Sequence, residues 1–147
     1  MMHMCEFEVF EDNGVYLAYP FGMEGGTQGN TIEEAAFMAA DWFKIEIEHR
    51  VMHNLPFPKV GFGNELQHDG ERLLVAVDVG KEAIDKMSAA DAARTLGVTP
   101  GRITQMVAAG LLEGFKDGHK SWITRASVEA RLVELPKAGR PKKTAMA

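Results

Sequence analysis

Residues 87–132 read MSAADAARTLGVTPGRITQMVAAGLLEGFKDGHKSWITRASVEARL. Ser88 can cap a helix in which the small apolar residues Ala89, Ala92, Ala93 and Leu96 recur at helical spacing. Gly97 ends it, in the place a glycine takes just past the last periodic residue. Thr99 then caps a second helix with Pro100 in its first turn, where a missing N–H costs nothing. Ile103, Met106 and Val107 of that helix face inward, whereas Arg102, Thr104 and Gln105 face out. After Gly110, two strand-like runs lie around Asp117-Gly118 between Phe115 and Ile123, which reads as a hairpin. A last helix follows from Ser127.

Two short helices joined by a glycine turn form a helix-turn-helix, and an outward arginine and glutamine on its second helix suit the major groove. Arginine can bond a guanine edge bidentately, and glutamine an adenine edge. Charge agrees. Residues 1–86 hold 6 basic and 16 acidic side chains, a net of −10, whereas residues 87–147 hold 10 and 5, a net of +5. A basic half attracts phosphate and an acidic half is repelled by it, so the two halves are expected to have different partners.

The order helix, turn, helix, AAGLLEG, basic hairpin, short helix resembles the winged helix-turn-helix of excisionases and MerR-type regulators. Ala92-Ala93, Leu96-Gly97-Val98, Ile103, Gly110-Leu111-Leu112 and Trp122-Ile123 carry that resemblance. It implies DNA contacts from Thr99, Arg102 and Gln105 on the recognition helix and from Lys116, His119 and Lys120 on the wing. Trp122 is expected to anchor the wing on the first helix more readily than to touch DNA.

The N-terminal half reads as a compact α/β unit. Glu6 to Phe10 alternates polar and apolar, Asp12-Asn13-Gly14 signals a turn, and Val15 to Phe21 is a second strand. A short third strand is read at Thr27-Gln28. Thr31-Ile32-Glu33-Glu34 is a capping box opening a long helix whose inward stripe is read as Ala35, Met38, Ala39, Trp42 and Ile45. The helix must end before Leu55-Pro56-Phe57-Pro58. Glu71 to Val79 is the strongest strand of the chain, giving the order β-β-β-α-β.

This arrangement resembles the HicB antitoxin family, carried by Tyr16-Leu17-Ala18-Tyr19-Pro20, by the run TQGNTIEEA from Thr27 to Ala35, by Leu55-Pro56, and by Val77-Asp78-Val79. Where the family commonly shows Pro-Gly-Cys ahead of that run, this chain has Met23-Glu24-Gly25. The resemblance implies an α+β protein: a partial ribonuclease-H-like domain over 1–82, then a small winged helix-turn-helix domain over 87–135. A basic tail over 136–147 is expected to be disordered. Within it Gly139-Arg140-Pro141 resembles the core of an AT-hook, although a plain basic tail would also draw phosphate.

Catalytic constellations are poor. A ribonuclease H needs clustered carboxylates holding metal ions; Glu6 and Glu8 are read on one exposed strand face and Asp78 at a strand end, without convergence. His49 and His53 stand at i, i+4 with no third metal ligand nearby, and near a helix C-terminus histidines suit the dipole. Gly22 to Gly29 lacks the GK[ST] ending of a phosphate loop. Cys5 is the sole cysteine, which leaves no internal disulfide and no Cys-rich zinc site. No apolar run has the length of a membrane span and the start has no signal-peptide character, so a cytoplasmic location is expected.

The function expected is therefore that of a non-enzymatic antitoxin without cofactor or metal. It would neutralise a HicA-type mRNA interferase and repress its own operon by binding operator DNA as a dimer or tetramer, since one recognition helix reads few bases. Glu33, Asp41, Glu46 and Glu48 are the candidate toxin-binding charges; Arg140 joins the DNA-binding set. The alternative is a phage-type regulator or excisionase-like architectural protein with no toxin partner.

Overall fold

Eleven residues, Met2–Asp12, form strand β1 and turn through Asn13-Gly14 into β2 (Val15–Pro20). Both turn residues have positive φ, 52° and 81°, which a type I′ turn demands and which suits the strands' right-handed twist. β3 (Thr27–Gly29) pairs with β2, and β4 (Glu71–Asp78) with the far edge of β1, in the antiparallel order β3-β2-β1-β4. β1 extends well before Glu6 because β4, arriving from the other end of this half, pairs with it from Met2 to Val9. The computed structural model describes residues 1–134; the tail over 136–147, with Arg140, lies outside the described residues.

Helix α1 (Ile32–Met52) starts as its sequence dictates: Thr31 Oγ1 accepts the Glu34 N–H at 3.1 Å. Ala35 and Ala39 are buried as periodicity reads them, but the buried stripe continues through Phe43 and Ile47 to Met52. Met38 and Ile45 are exposed and Trp42 is only partly buried. Apolar residues occur on both sides of this helix, so periodicity alone could not choose the side. The four-residue spacing, begun by two alanines, sets a thin helix face against the sheet, where Phe7 meets Phe43 edge-on at 6.5 Å and Trp42 at 5.9 Å.

The TQGNTIEEA run has a steric reason for its glycine. A Cβ on Gly29 would stand 2.5 Å from the Ala35 nitrogen, because β3 passes directly beneath the first turn of α1. Gly29→Ala is expected to force the two apart and cost about 1–2 kcal/mol, as overpacking does; a lowered melting temperature of the intact chain checks this.

The chain divides into two compact units, Met1–Glu82 and a second beginning at Ala83. The second unit opens with β5 (Lys86–Ser88) and continues through α2 (Ala89–Leu96), α3 (Pro100–Ala108), β6 (Gly114–Asp117), β7 (Lys120–Thr124) and helix α4, described over residues 125–134. The strands form a sheet in the order β5-β7-β6. β5 is absent from the sequence reading; three residues carry too little pattern, and Met87 is placed by pairing with Ile123 of β7 and by burial in the core of this unit.

The caps are local and as expected. Ser88 Oγ accepts the Asp91 N–H at 3.0 Å and Thr99 Oγ1 the Arg102 N–H at 3.2 Å. Gly97 closes α2 at φ 69°. Two boundaries move. The hairpin turn is Gly118-His119, one residue later than read, with Gly118 at φ 64° in the first turn position. Helix α4 begins at 125 rather than at Ser127, because Thr124 Oγ1 accepts the Ser127 N–H at 3.3 Å and serves as its cap.

With an antiparallel sheet in each unit, one α-helix in the first and three in the second among the described residues, the protein is α+β. Among the described residues no helix is long and apolar enough to cross a membrane.

Candidate nucleic-acid interface

In the second unit, a core of Ala92, Ala93, Leu96, Ile103, Met106, Leu112, Ile123 and Val128 fixes the rotation of α3 about its axis. Ile103 and Met106 point into it, so Thr99, Arg102, Thr104 and Gln105 are left exposed along the opposite face. Arg102 Nη1 lies 3.5 Å from Gln105 Oε1, one helical turn apart, so the two polar heads share one stretch of the surface. Of the hairpin residues read as site candidates, Lys116, His119 and Lys120 are all exposed. Both groups are therefore solvent-facing and on elements held by a common core.

Trp122 belongs to β7. It sits in the middle strand, paired with Ser88 on β5 and Phe115 on β6, and borders a hollow shared with Ile103, Thr104 and Val107 of α3. Ala89 of α2 lines the same hollow. Lys86 Nζ and Lys120 Nζ lie 5.4 and 5.9 Å from its ring centre, within cation–π range. Lys86 is a cationic neighbour that the sequence reading missed, since its strand was not visible.

The acidic candidates of the first unit fall into two groups. Glu33 and Asp41 are exposed, while Glu46 and Glu48 are half-buried. At 100° per residue Glu46 stands about 140° around the axis from Asp41, so the four do not form one patch. An alternating stripe emerges instead: Glu33, Phe37, Asp41 and Ile45 succeed one another every four residues, with Phe37 73% and Ile45 56% exposed. Phe37 was not among the candidate residues. Its signal, an apolar residue between two acids at i±4, was present but ascribed to no face.

The other side of the sheet corrects the reading of Glu6 and Glu8. Both are buried, Glu8 to 2% exposure. The segment from Gly61 to Gly70 folds over them. Glu6 accepts N–H groups of Gly63 at 3.1 Å and Asn64 at 2.8 Å, and the Asn64 side-chain amide at 3.0 Å. Glu8 accepts the N–H groups of Gln67 at 2.7 Å, His68 at 2.8 Å and Gly70 at 3.0 Å. The bonds from Asn64 hold the Glu6 carboxyl below its ordinary value, assisted by Gly63 and Arg72 and opposed by desolvation. For Glu8, burial pulls upward, but the three amides and His68 outweigh it and the net shift is downward. These carboxylates are anchors for a loop.

Cys5 belongs to β1, an inner strand of the sheet, and is fully buried. Burial, then the neighbouring Glu6, pushes its thiol up to about 11. In the folded protein at about pH 8 it is expected to resist alkylation and to react fully once the chain is denatured; mass spectrometry of the alkylated protein checks this. The His49 and His53 rings lie 4.6 Å apart, centre to centre.

No protein-family model matches the sequence, and no curated protein does either. Among solved structures, the chain aligns with one from a toxin–antitoxin complex of Streptococcus pneumoniae. Identity is 17% and the TM-score 0.43, over 75% of this chain and 97% of that one.

Proposed function

We propose that this protein is an antitoxin of a type II toxin–antitoxin pair that represses its own operon, acting by binding and not by catalysis. The observation that carries this reading is the exposed face of α3. Thr99, Arg102 and Gln105 project from a helix whose other side is locked by Ile103 and Met106. A hairpin with Lys116, His119 and Lys120 accompanies it, in a half of net charge +5. In this reading α2 and α3 are the helix-turn-helix, β6–β7 is the wing, and operator DNA is the ligand.

The resemblance of Thr27 to Ala35 to HicB antitoxins, together with a half of net charge −10, supports a HicA-type toxin as the second partner. A cationic RNA-cleaving protein would meet the stripe Glu33, Phe37, Asp41, Ile45, with the apolar pair supplying burial and the acids steering the encounter. Glu6 and Glu8, committed to loop amides, support binding in place of catalysis. The reading includes a cytoplasmic dimer or tetramer, which doubles the bases read.

Co-expression of the full chain with a small basic HicA-type mRNA interferase tests the pairing, and a gel shift on the DNA upstream of the gene tests repression. Protection from growth arrest and a specific shift are expected. Glu33→Lys combined with Asp41→Lys should slow toxin association, most strongly at low salt. A specific shift without protection would leave an excisionase-type regulator in place of an antitoxin, and the absence of both protection and shift would sink the proposal.

A further inference from the structure

β4 is the outer strand of the first unit's sheet, beside β1 and flanked by no further strand among the described residues. Its pairing with β1 runs unbroken from Met2 opposite Asp78 to Val9 opposite Glu71. The Val79 N–H bonds the Met1 carbonyl at 3.0 Å, so by antiparallel alternation the odd-numbered residues of β4 bond β1. Arg72, Leu74, Ala76 and Asp78 therefore turn their N–H and C=O groups to the open edge, and all four are exposed. Native sheets blunt such an edge with proline, lysine, a bulge or a very short strand. β3, at the other edge, has three residues. β4 has eight, with no proline, lysine or bulge. Apolar side chains border it: Leu74 is 53% exposed, and Met4, which pairs with Ala76, is 39% exposed.

We propose that this edge binds a second copy of the chain, β4 antiparallel to β4 about a two-fold axis at Val75, joining two sheets into one. One register is self-complementary, as an isologous interface requires. With Val75 opposite the partner's Val75, Leu74 meets the partner's Ala76, Leu73 the partner's Val77, and Arg72 the partner's Asp78. The next hydrogen-bonding registers on either side set Arg72 against alanine or Leu74 against aspartate. Leu73 and Val77 are only partly buried within one copy, and the second copy covers them. Arg72 already gives its Nε to Asn64 O at 2.7 Å, and Asp78 accepts the Met1 ammonium at 2.9 Å. The exposed ion pair therefore selects the register, while ladder bonds and apolar cover supply the affinity. The oligomer expected of the proposed function gains a surface here, and that surface depends on neither toxin nor DNA.

Sedimentation equilibrium of the full chain, alone in solution, tests the edge. Self-association with a Kd of about 10 μM or tighter is expected. Leu74→Lys puts a charge on the edge, and Ala76→Pro removes an outward N–H that β1 does not use. Each should weaken association about tenfold or more, with circular dichroism confirming the fold. Arg72→Asp and Asp78→Arg should each weaken it, and the two combined should recover most of the loss; no recovery would overturn the register. Phe37→Ser, on the outer face of α1, should associate as wild type. Wild-type association by both edge variants, its loss in Phe37→Ser instead, or a monomeric wild type at ~100 μM would overturn the proposal. A monomeric chain whose edge variants lose a HicA-type interferase would give the edge to the toxin. A chain that protects from the toxin yet stays monomeric loses this interface and keeps its proposed function.

Discussion

Arg102→Ala combined with Gln105→Ala is expected to abolish sequence-specific binding to the protein's own upstream DNA while leaving the fold intact. Each side chain is exposed and neither enters the core of the second unit, so stability should change little. Each bidentate base contact discriminates by about 1–3 kcal/mol, and losing both should weaken specific binding by roughly 2–6 kcal/mol if the two act independently. Non-specific binding should persist, because it arises from lysines and arginines meeting phosphates. Gel shifts with specific and scrambled DNA at two salt concentrations separate these terms. Lys116→Gln provides the contrast: it should weaken both DNAs alike and reduce the salt slope by about one. Wild-type discrimination by the double variant would remove α3 from the role of recognition helix.

Glu8→Ala is expected to be the most damaging single change to the first unit outside its apolar core. It removes the acceptor of three backbone N–H groups at once. A cost of about 2–3 kcal/mol follows from losing charge-assisted bonds to donors that water only partly regains. The segment around Gln67 to Gly70 should become more protease-sensitive before the rest of the sheet. Glu8→Gln keeps the shape but halves the acceptors, and should fall between alanine and wild type.

The same carboxylates set an acid limit. Glu6 and Glu8 are both held below their ordinary value of 4.5 in the folded state. Their contribution is therefore complete above that value and is lost as pH falls through it toward the lower folded values. Denaturant midpoints should be flat from neutral pH down to about 5 and then decline. The decline should be shallower in Glu8→Gln, which has one group fewer to protonate. An identical acid limb in wild type and variant would show that other groups govern it.

What the sequence determined by itself is everything encoded within a few residues. Thr31, Ser88 and Thr99 cap their helices, Asn13-Gly14 makes the first hairpin, and Gly97 ends α2. Each depends on a φ angle or a side-chain oxygen reaching three residues along, so neighbours suffice. The outward placement of Arg102 and Gln105 was equally legible, since Ile103 and Met106 leave a short helix one way to face. Tertiary structure decided what distant partners decide. Met38 and Ile45 compete with Phe43 and Ile47 for the inside of α1, and only the shape of the sheet selects the latter pair. Glu6 and Glu8 look solvated along their own strand and become buried because a loop some sixty residues away brings amide hydrogens to them. β5 exists because β7 is there to pair with it. Local geometry can be written in adjacent side chains, but burial is a relation between segments.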